Sequence, residues 1–407
     1  MKVLIVGSGA REHALAWRLS RSPGLTELHC APGNPGIAEL GRCHPVRAAD
    51  GEGLLSLALT IEADLVVIGP EGPLVAGVAD ELRRNGIAVF GPSTEAARIE
   101  GSKTFAKEVL RAAGVPTAAT LAVARPPCVV KADGLASGKG VFVCRTPAEV
   151  EAALAAMAEL GGDFTIEELL EGEEASVFAL SDGRTVVALG AAQDFKRIGD
   201  GDTGPNTGGM GAYSPVSSLG DVEQLVDQVH RPVVEELARR GSPFQGCLFA
   251  GLMLTADGPK VLEFNARFGD PETQVLMPRI DGDLLSALAA AAHGDLSGVS
   301  IGTAGEAAVT VVLAAPDYPA RSDYSGAPVN GVEQAEAAGA LVFHGGTAVR
   351  DGRVIAHGGR ILSVTATGPT VSDARDRAYA AVQLVHFDGV QYRRDIAAAA
   401  AAQVARA

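Results

Sequence analysis

Short apolar runs closed by glycine recur along the first hundred residues. Val3-Leu4-Ile5-Val6 leads into Gly7-Ser8-Gly9, Leu65-Val66-Val67-Ile68 into Gly69-Pro70-Glu71, and Ile87-Ala88-Val89-Phe90 into Gly91-Pro92. Helical stretches lie between them, the first over about 12–20. Apolar runs alternating with helical patterns predict a parallel sheet covered by helices. Ligands of such sheets sit at the carboxyl ends of the strands, here 7–11, 34–36 and 69–72.

Beyond residue 100 the pattern changes. A helix is predicted over about 103–113, with Gly101-Ser102 before it and Gly114 and Pro116 after it. Strands at 128–131 and 141–144 flank a glycine-rich loop, which reads as a hairpin. A helix at about 148–160 precedes an acidic segment, 164–174, too charged to be a buried strand throughout. Strands at 248–255 and 260–265 pair across a turn at 256–259. After Pro319, short strands at 340–343, 354–355 and 361–365 are broken by glycine turns. A last helix opens at 371–373, with Ser372 as its cap, and the alanine-rich end, 397–402, reads as a helical tail. No internal repeat is apparent.

A chain of 407 residues, 47% of them hydrophobic, predicts two to four domains. A net charge of −15 argues against binding nucleic acid or acidic membranes through bulk electrostatics, though not against a local phosphate pocket. The five cysteines show no CxxC or metal spacing, which suits reduced thiols in a cytosol. With no signal-peptide pattern and no membrane-length apolar run, a cytoplasmic location is expected.

The stretch 261–274 carries the most chemistry. Val261 to Asn265 reads as the end of a strand, and alternation puts Glu263 and Asn265 on one side. A carboxylate and an amide oxygen there suit a hard cation such as Mg2+, which completes its shell with water and phosphate. Arg267 keeps to that side if the strand persists and would hold an anion. Asp270-Pro271 then forces a turn. Upstream, Lys131 and Lys139 bracket small residues whose amides can approach a polyphosphate. This is no Walker A loop: three residues rather than four separate Gly134 from Gly138, and Gly140 follows Lys139 where Ser or Thr is needed. Lys103 begins its helix, where a cation gains nothing from the dipole, so the residues alone read as a solvated surface lysine.

From 199 to 211, six glycines interrupt a stretch without helix or strand pattern. Such a segment does not stay ordered alone, and long structureless loops are uncommon unless functional. It reads as a lid over 199–215, with Asn206, Thr207 and the amides of Gly208 and Gly209 donating to a phosphate or carboxylate. The first turn fails as a dinucleotide fingerprint, because Glu12 stands where a small residue is needed and no ribose-binding acid closes the second strand. A phosphate or polar substrate on its backbone amides stays open.

Taken in order, these motifs resemble the ATP-grasp ligases. EFN-x-RFGDPETQ at 263–274 and GDxDTGPNTGGMGAYSP at 199–215 are similar to the phosphoribosylamine–glycine ligase family within them. The resemblance spans nearly the whole chain. It implies an α/β protein: an ATP-grasp fold preceded by a parallel-sheet N-terminal domain (1–100) and followed by a small α+β C-terminal domain (319–407). The ATP-grasp part divides into a central domain (101–120 and 188–318) with the metal strand and a lid subdomain (121–187). It implies ATP-dependent ligation of glycine to 5-phosphoribosylamine through glycyl phosphate, with Mg2+, or Mn2+ in its place.

The same resemblance distributes the residues. ATP meets Lys103, Lys131 and Lys139; Glu167, Glu168 and Leu170 form the adenine hinge; Glu174 accepts from the ribose hydroxyls. Arg11 and Glu71 contact phosphoribosylamine, and Arg360 closes over its phosphoribosyl site. Asp194, Lys196, Thr207, Gly208, Gly209 and Asp270 meet the substrates, and Arg267, Lys139 and Asp270 carry catalysis. Many ATP-grasp enzymes place a further metal carboxylate on the earlier strand, where Phe249-Ala250-Gly251 has none. The expected partners are ATP, glycine and phosphoribosylamine, with a transient contact to the enzyme supplying the last. Two rivals stay open: an ATP-grasp enzyme activating bicarbonate or formate, and a nucleotide-sensing protein without turnover.

Overall fold

A computed structural model describes residues 1–134 and 140–404, with 403 and 404 described by their helical backbone alone. Five parallel strands open the chain: β1 (Lys2–Gly7), β2 (Glu27–Pro32), β3 (Arg42–Cys43), β4 (Leu65–Ile68) and β5 (Val89–Phe90), in the order β3-β2-β1-β4-β5. Val3 to Val6 and Leu65 to Ile68 are buried, so these strands read as unbroken apolar runs. The order sets the turns after β1 and β4 side by side. The helix Ala10–Leu19 begins directly at the first of them.

The helix Lys103–Ala113 forms as its sequence signals require. The Ser102 hydroxyl accepts from the Phe105 amide, and Gly114 ends the helix at φ 68°. Next come β6 (Cys128–Ala132), β7 (Val141–Cys144) and β8 (Phe164–Glu168), an antiparallel sheet ordered β7-β6-β8. The predicted hairpin is β6–β7, running from Cys128↔Cys144 to Lys131↔Val141. Lys139 lies outside the described residues. Val130, Cys144, Ala153 and Met157 give this sheet its own small core against the helix Pro147–Leu160.

The chain then forms β9 (Glu173–Asp182), β10 (Val186–Asp194), β11 (Arg197–Gly199), β12 (Thr203–Asn206), β13 (Gly211–Ser214), β14 (Gln245–Thr255) and β15 (Gly258–Asn265). An eight-stranded sheet follows the order β15-β14-β9-β10-β13 and continues through Ala307–Ala314, Arg360–Gly368 and Leu341–His344. The β14–β15 pair is the hairpin read from the sequence, with Pro259 inside β15.

Four expectations need correction. β9 belongs to the large sheet, so the limit of the lid at 187 cuts across it. The C-terminal strands extend the same sheet, and a division at 319 separates neighbours in one ladder. Thr370, not Ser372, caps the last long helix, accepting from the Asp373 amide. The 199–215 segment is not structureless: β11 and β12 form a two-stranded hairpin and β13 joins the large sheet, with Met210 and Ala212 to Ser214 buried. Its glycines serve tight backbone geometry there. Among the described residues no helix is long and apolar enough to cross a membrane.

Candidate active site

Register across the large sheet assembles the polar face. Glu263 on β15 lies opposite Gly251 on β14, which lies opposite Ser176 on β9, which lies opposite Ala192 on β10. Partners in antiparallel ladders share a face, as do residues two apart on one strand. Glu174, Ser176, Asp194, Glu263 and Asn265 therefore project from the same side. Gly251 stands beside the Glu263 stem, where even a Cβ would come within 3.4 Å of Cγ. The position that carries no acid is thus the one that leaves Glu263 room.

Charges on this face are tightly coupled. Lys196 Nζ lies 2.6 Å from Glu174 Oε2 and 3.9 Å from Asp194 Oδ1. Burial acts to lower the Lys196 pKa, but Asp194, Glu174 and Glu263 outweigh it and hold the ammonium charged. Lys196 draws the Glu174 pKa down. Burial raises Asp194, with Lys196 opposing. Glu272 opens the short buried helix Glu272–Leu276, and its Oε1 lies 3.3 Å from Ser176 Oγ. Burial, reinforced by the Asp194 charge, pushes its pKa up to about 7. Sequence reasoning quoted Glu272 inside a motif but gave it no role, since only tertiary packing places it on this face.

The three-stranded sheet meets β15 through Lys131. Its Nζ pairs with Glu167 Oε2 at 2.7 Å and donates to the Leu262 carbonyl at 3.1 Å. Lys107 pairs with the other Glu167 oxygen at 3.0 Å. Glu167 therefore spends its side chain on two buried lysines. Glu168 binds Lys260 at 3.3 Å and the Ala119 amide at 2.9 Å, so both side chains brace the end of β8. Leu170 packs with Ala118 and Met253. Lys103 is not a free surface lysine: its Nζ donates to the Gly134 carbonyl at 3.2 Å, at the foot of the glycine loop.

Arg267 bonds the Asn265 amide oxygen at 3.2 Å, which confirms that the two face together. Two carboxylates already hold it, Glu71 at 3.1 Å and Glu100 at 3.4 Å. Its guanidinium thus ties β15 to the helices of the N-terminal region that carry Glu71 and Glu100. Arg11 and Glu71 come within 3.9 Å, yet the nearest partner of Arg11 is Glu12 at 2.5 Å. The Glu12 carboxylate also accepts from the Gly9 amide at 2.6 Å and fills the space that Gly7 and Gly69 leave. The Gly9 amide is thus satisfied by a carboxylate of this chain.

A cavity of about 350 Å3 opens next to this turn, lined by Ser8–Ala10, Asp270, Tyr318, Ser322, Gly345, Gly346, Arg360 and Ser363. Arg360 Nη2 lies 3.0 Å from Asp270 Oδ2 and its Nη1 donates to the Asp270 carbonyl at 2.8 Å and to the Gly208 carbonyl. Burial acts to raise the Asp270 pKa, but Arg360, Arg11, Gln274 and Arg267 together outweigh it and keep the carboxyl below its ordinary value. Gln274 Nε2 holds the other Asp270 oxygen at 2.8 Å. The Gly208 amide donates to the Tyr318 hydroxyl at 2.8 Å, and Thr207 Oγ1 to the Lys196 carbonyl at 2.8 Å. Contacts thus link Asp194 and Lys196 on the sheet face, through the Thr207–Gly209 turn, to Arg360 and Asp270 at the cavity, and the residues along this path form the candidate cleft.

Glu263 and Asn265 suit a hard cation. Among the described residues no group of three or more His, Cys, Asp or Glu could hold a metal. A carboxylate with an amide oxygen suffices where substrate phosphate and water supply the other ligands. An antiparallel sheet carrying such a pair, faced by a small sheet carrying a buried lysine, defines an ATP-grasp ligase, an enzyme class that uses ATP and divalent metal ions.

Family models of phosphoribosylglycinamide synthetase match most of the chain: the N domain at residues 1–100, the ATP-grasp (A) domain at 101–273 and the C domain at 308–399. The chain belongs to this family, a group of purine-biosynthesis ligases. A phosphoribosylamine–glycine ligase of Streptomyces coelicolor is 52% identical over 419 residues, covering 98% of this chain and all of that protein. The crystal structure of a phosphoribosylamine–glycine ligase from Thermotoga maritima matches with a TM-score of 0.84 at 35% identity, covering 97% of this chain and 100% of that one. The biotin carboxylase domain of Hydrogenobacter thermophilus 2-oxoglutarate carboxylase shares the fold, with a TM-score of 0.69 at 18% identity over 96% of this chain and 91% of that one.

Proposed function

We propose that this cleft joins glycine to 5-phosphoribosylamine at the expense of ATP, with the work divided by region. The reaction gives glycinamide ribonucleotide, ADP and phosphate. ATP lies between the β6–β8 sheet and the face of the large sheet. Lys131 and Lys103 meet its phosphates, Leu170 lies along the adenine, and Glu174 accepts from the ribose. Glu263 and Asn265 hold Mg2+, or Mn2+ in its place, which when bound neutralises phosphate charge.

Glycine sits by Asp194, Lys196 and the Thr207–Gly209 turn. A carboxylate is a poor acyl donor because oxide is a poor leaving group. Attack of the glycine carboxylate on the terminal phosphorus releases ADP and leaves glycyl phosphate, whose leaving group is phosphate. Positioning and charge neutralisation dominate such a transfer. Lys196, held charged by three carboxylates, supplies a fixed positive centre there.

Phosphoribosylamine occupies the hydroxyl-lined cavity with its phosphate toward Arg360. Its amine attacks the acyl carbon and expels phosphate, and Asp270, fixed by Arg360 and Gln274, orients that amine. The protein works in the cytoplasm, and a transient contact with the enzyme supplying this short-lived amine would limit its loss.

The single observation that supports this reading most is the chain of contacts from the Glu174–Lys196–Asp194 cluster beside Glu263, through the Thr207–Gly209 turn, to the Arg360–Asp270 pair at the cavity. An ADP-release assay with each substrate omitted in turn tests it. ADP should appear with ATP, glycine and phosphoribosylamine together. Release that depends on bicarbonate or formate, and is indifferent to glycine, would overturn it.

A further inference from the structure

Arg393 is the largest fully buried side chain among the described residues, and it touches neither the cavity nor the sheet face. Its Nε and Nη2 fork onto Asp395 at 2.8 and 2.7 Å. Its Nη1 bonds Asp202 Oδ1 at 2.7 Å and the Arg197 carbonyl at 3.1 Å, and its guanidinium lies 5.1 Å from the Phe195 ring. Two neighbouring bonds run alongside: the Gly201 amide to Asp395 at 2.8 Å, and the Arg394 amide to Asp200 at 2.8 Å. The tip of the β11–β12 hairpin is thus tied at several points to the segment 393–396. That segment is held from behind by Arg375, at 2.9 Å from the Ile396 carbonyl, and by the Tyr379 hydroxyl, at 2.8 Å from the Arg393 carbonyl.

The two roots of this hairpin are functional in the reading above. Lys196 precedes β11, Thr207 to Gly209 follow β12, and the Thr207 amide donates to the Lys196 carbonyl at 2.7 Å. A displacement of the tip reaches both roots through a short, closed ladder. We propose that Arg393 is a positioning residue for the ligase: it clamps the β11–β12 hairpin to the C-terminal segment and so fixes Lys196 and Gly208–Gly209 around glycine. This rests on the assignment of those residues to the substrates. A guanidinium suits the task because its rigid fork satisfies several acceptors at once.

Asp202 gives a clean probe. Its side chain is 69% exposed, and the buried Arg393 keeps its fork onto Asp395, so neutralising Asp202 leaves no orphan charge. It sits at φ 55°, a conformation that Asn tolerates. Asp202→Asn and Arg393→Lys in the full-length chain should raise the KM for glycine about tenfold, with the KM for ATP unchanged. ADP should also exceed ligated product, because a loosened hairpin admits water to glycyl phosphate. Asp202→Asn should keep its thermal midpoint, and adding it to Arg393→Lys should cost nothing further. Should Arg393→Lys fail to fold, Asp202→Asn alone still decides. A wild-type glycine KM and wild-type coupling in Asp202→Asn would overturn the clamp. Equal rises in both KM values with a lowered midpoint would overturn it too, as general loosening. Lys196→Met separates the two claims. If it also leaves the glycine KM unchanged, the assignment of Lys196 fails; if it alone raises that KM, only the clamp fails.

Discussion

The two large sheets of this molecule present chemistry in opposite ways. The N-terminal sheet is parallel and covered on both faces, so its strands offer no side chains to a ligand, and the turns beyond their carboxyl ends do the work. The eight-stranded sheet is antiparallel here and open on one face. Its strands present polar side chains directly, and the two-residue period gathers Glu174, Ser176, Asp194, Glu263 and Asn265 from three strands. The first kind of site depends on close backbone packing, the second on charge. They should therefore fail differently when altered.

The largest effect is expected on the charged face. Glu263→Ala should lower kcat ~100- to 1000-fold, the usual cost of one aimed electrostatic group, while the protein stays folded because Glu263 is only half-buried. Steady-state rates with circular dichroism as a control measure this, and near-normal turnover by a folded variant would remove the electrostatic half of the contrast. Gly69→Ala should act through packing instead. A Cβ there would stand 2.0 Å from Glu12 Oε1, inside the knot that Glu12 makes with Arg11 and Gly9. Overpacking of this kind costs about 1–3 kcal/mol of stability, readable in urea unfolding, and unchanged stability would show that the turn has slack.

The smallest effect sharpens the contrast through pH. Glu272 has a folded pKa of about 7 against an ordinary 4.5. Below 4.5 both folded and unfolded chains hold the proton. Between 4.5 and 7 the folded chain keeps a proton that the unfolded chain has lost, so stability falls as pH rises and levels off above about 7. Glu272→Gln should lack this fall and gain on the parent across that window. Parallel melting curves for the two proteins from pH 4.5 to 7.5 would discard the idea.

How much of this was legible beforehand follows from sequence distance. The β14–β15 hairpin, the caps Ser102 and Gly114, and the shared face of Glu263 and Asn265 are local facts, set by strand alternation and turn chemistry. The roles of Glu12 and Glu272 are not, because each depends on burial against strands far along the chain. The reading of 199–215 as a segment without secondary structure went wrong for the same reason. Its glycines signalled low intrinsic order, while the Arg393 that holds it is 191 positions away from Asp202. Arg267 illustrates a subtler miss. Its proximity to Asn265 was readable, but its neutralisation by Glu71 and Glu100 required the N-terminal region to be docked.

The continuity of the large sheet also bears on how the protein is made. β13 gains its second neighbour, Ala307–Ala314, only after about ninety more residues have been synthesised. At ~5–20 residues per second, a nascent chain waits roughly 5–20 s with that edge bare. Open edges template pairing with other chains. Here the exposed strand is only four residues long, and Pro215 beyond it has no amide to offer. The brevity of β13 thus shields the half-made protein on the ribosome until its C-terminal strands arrive.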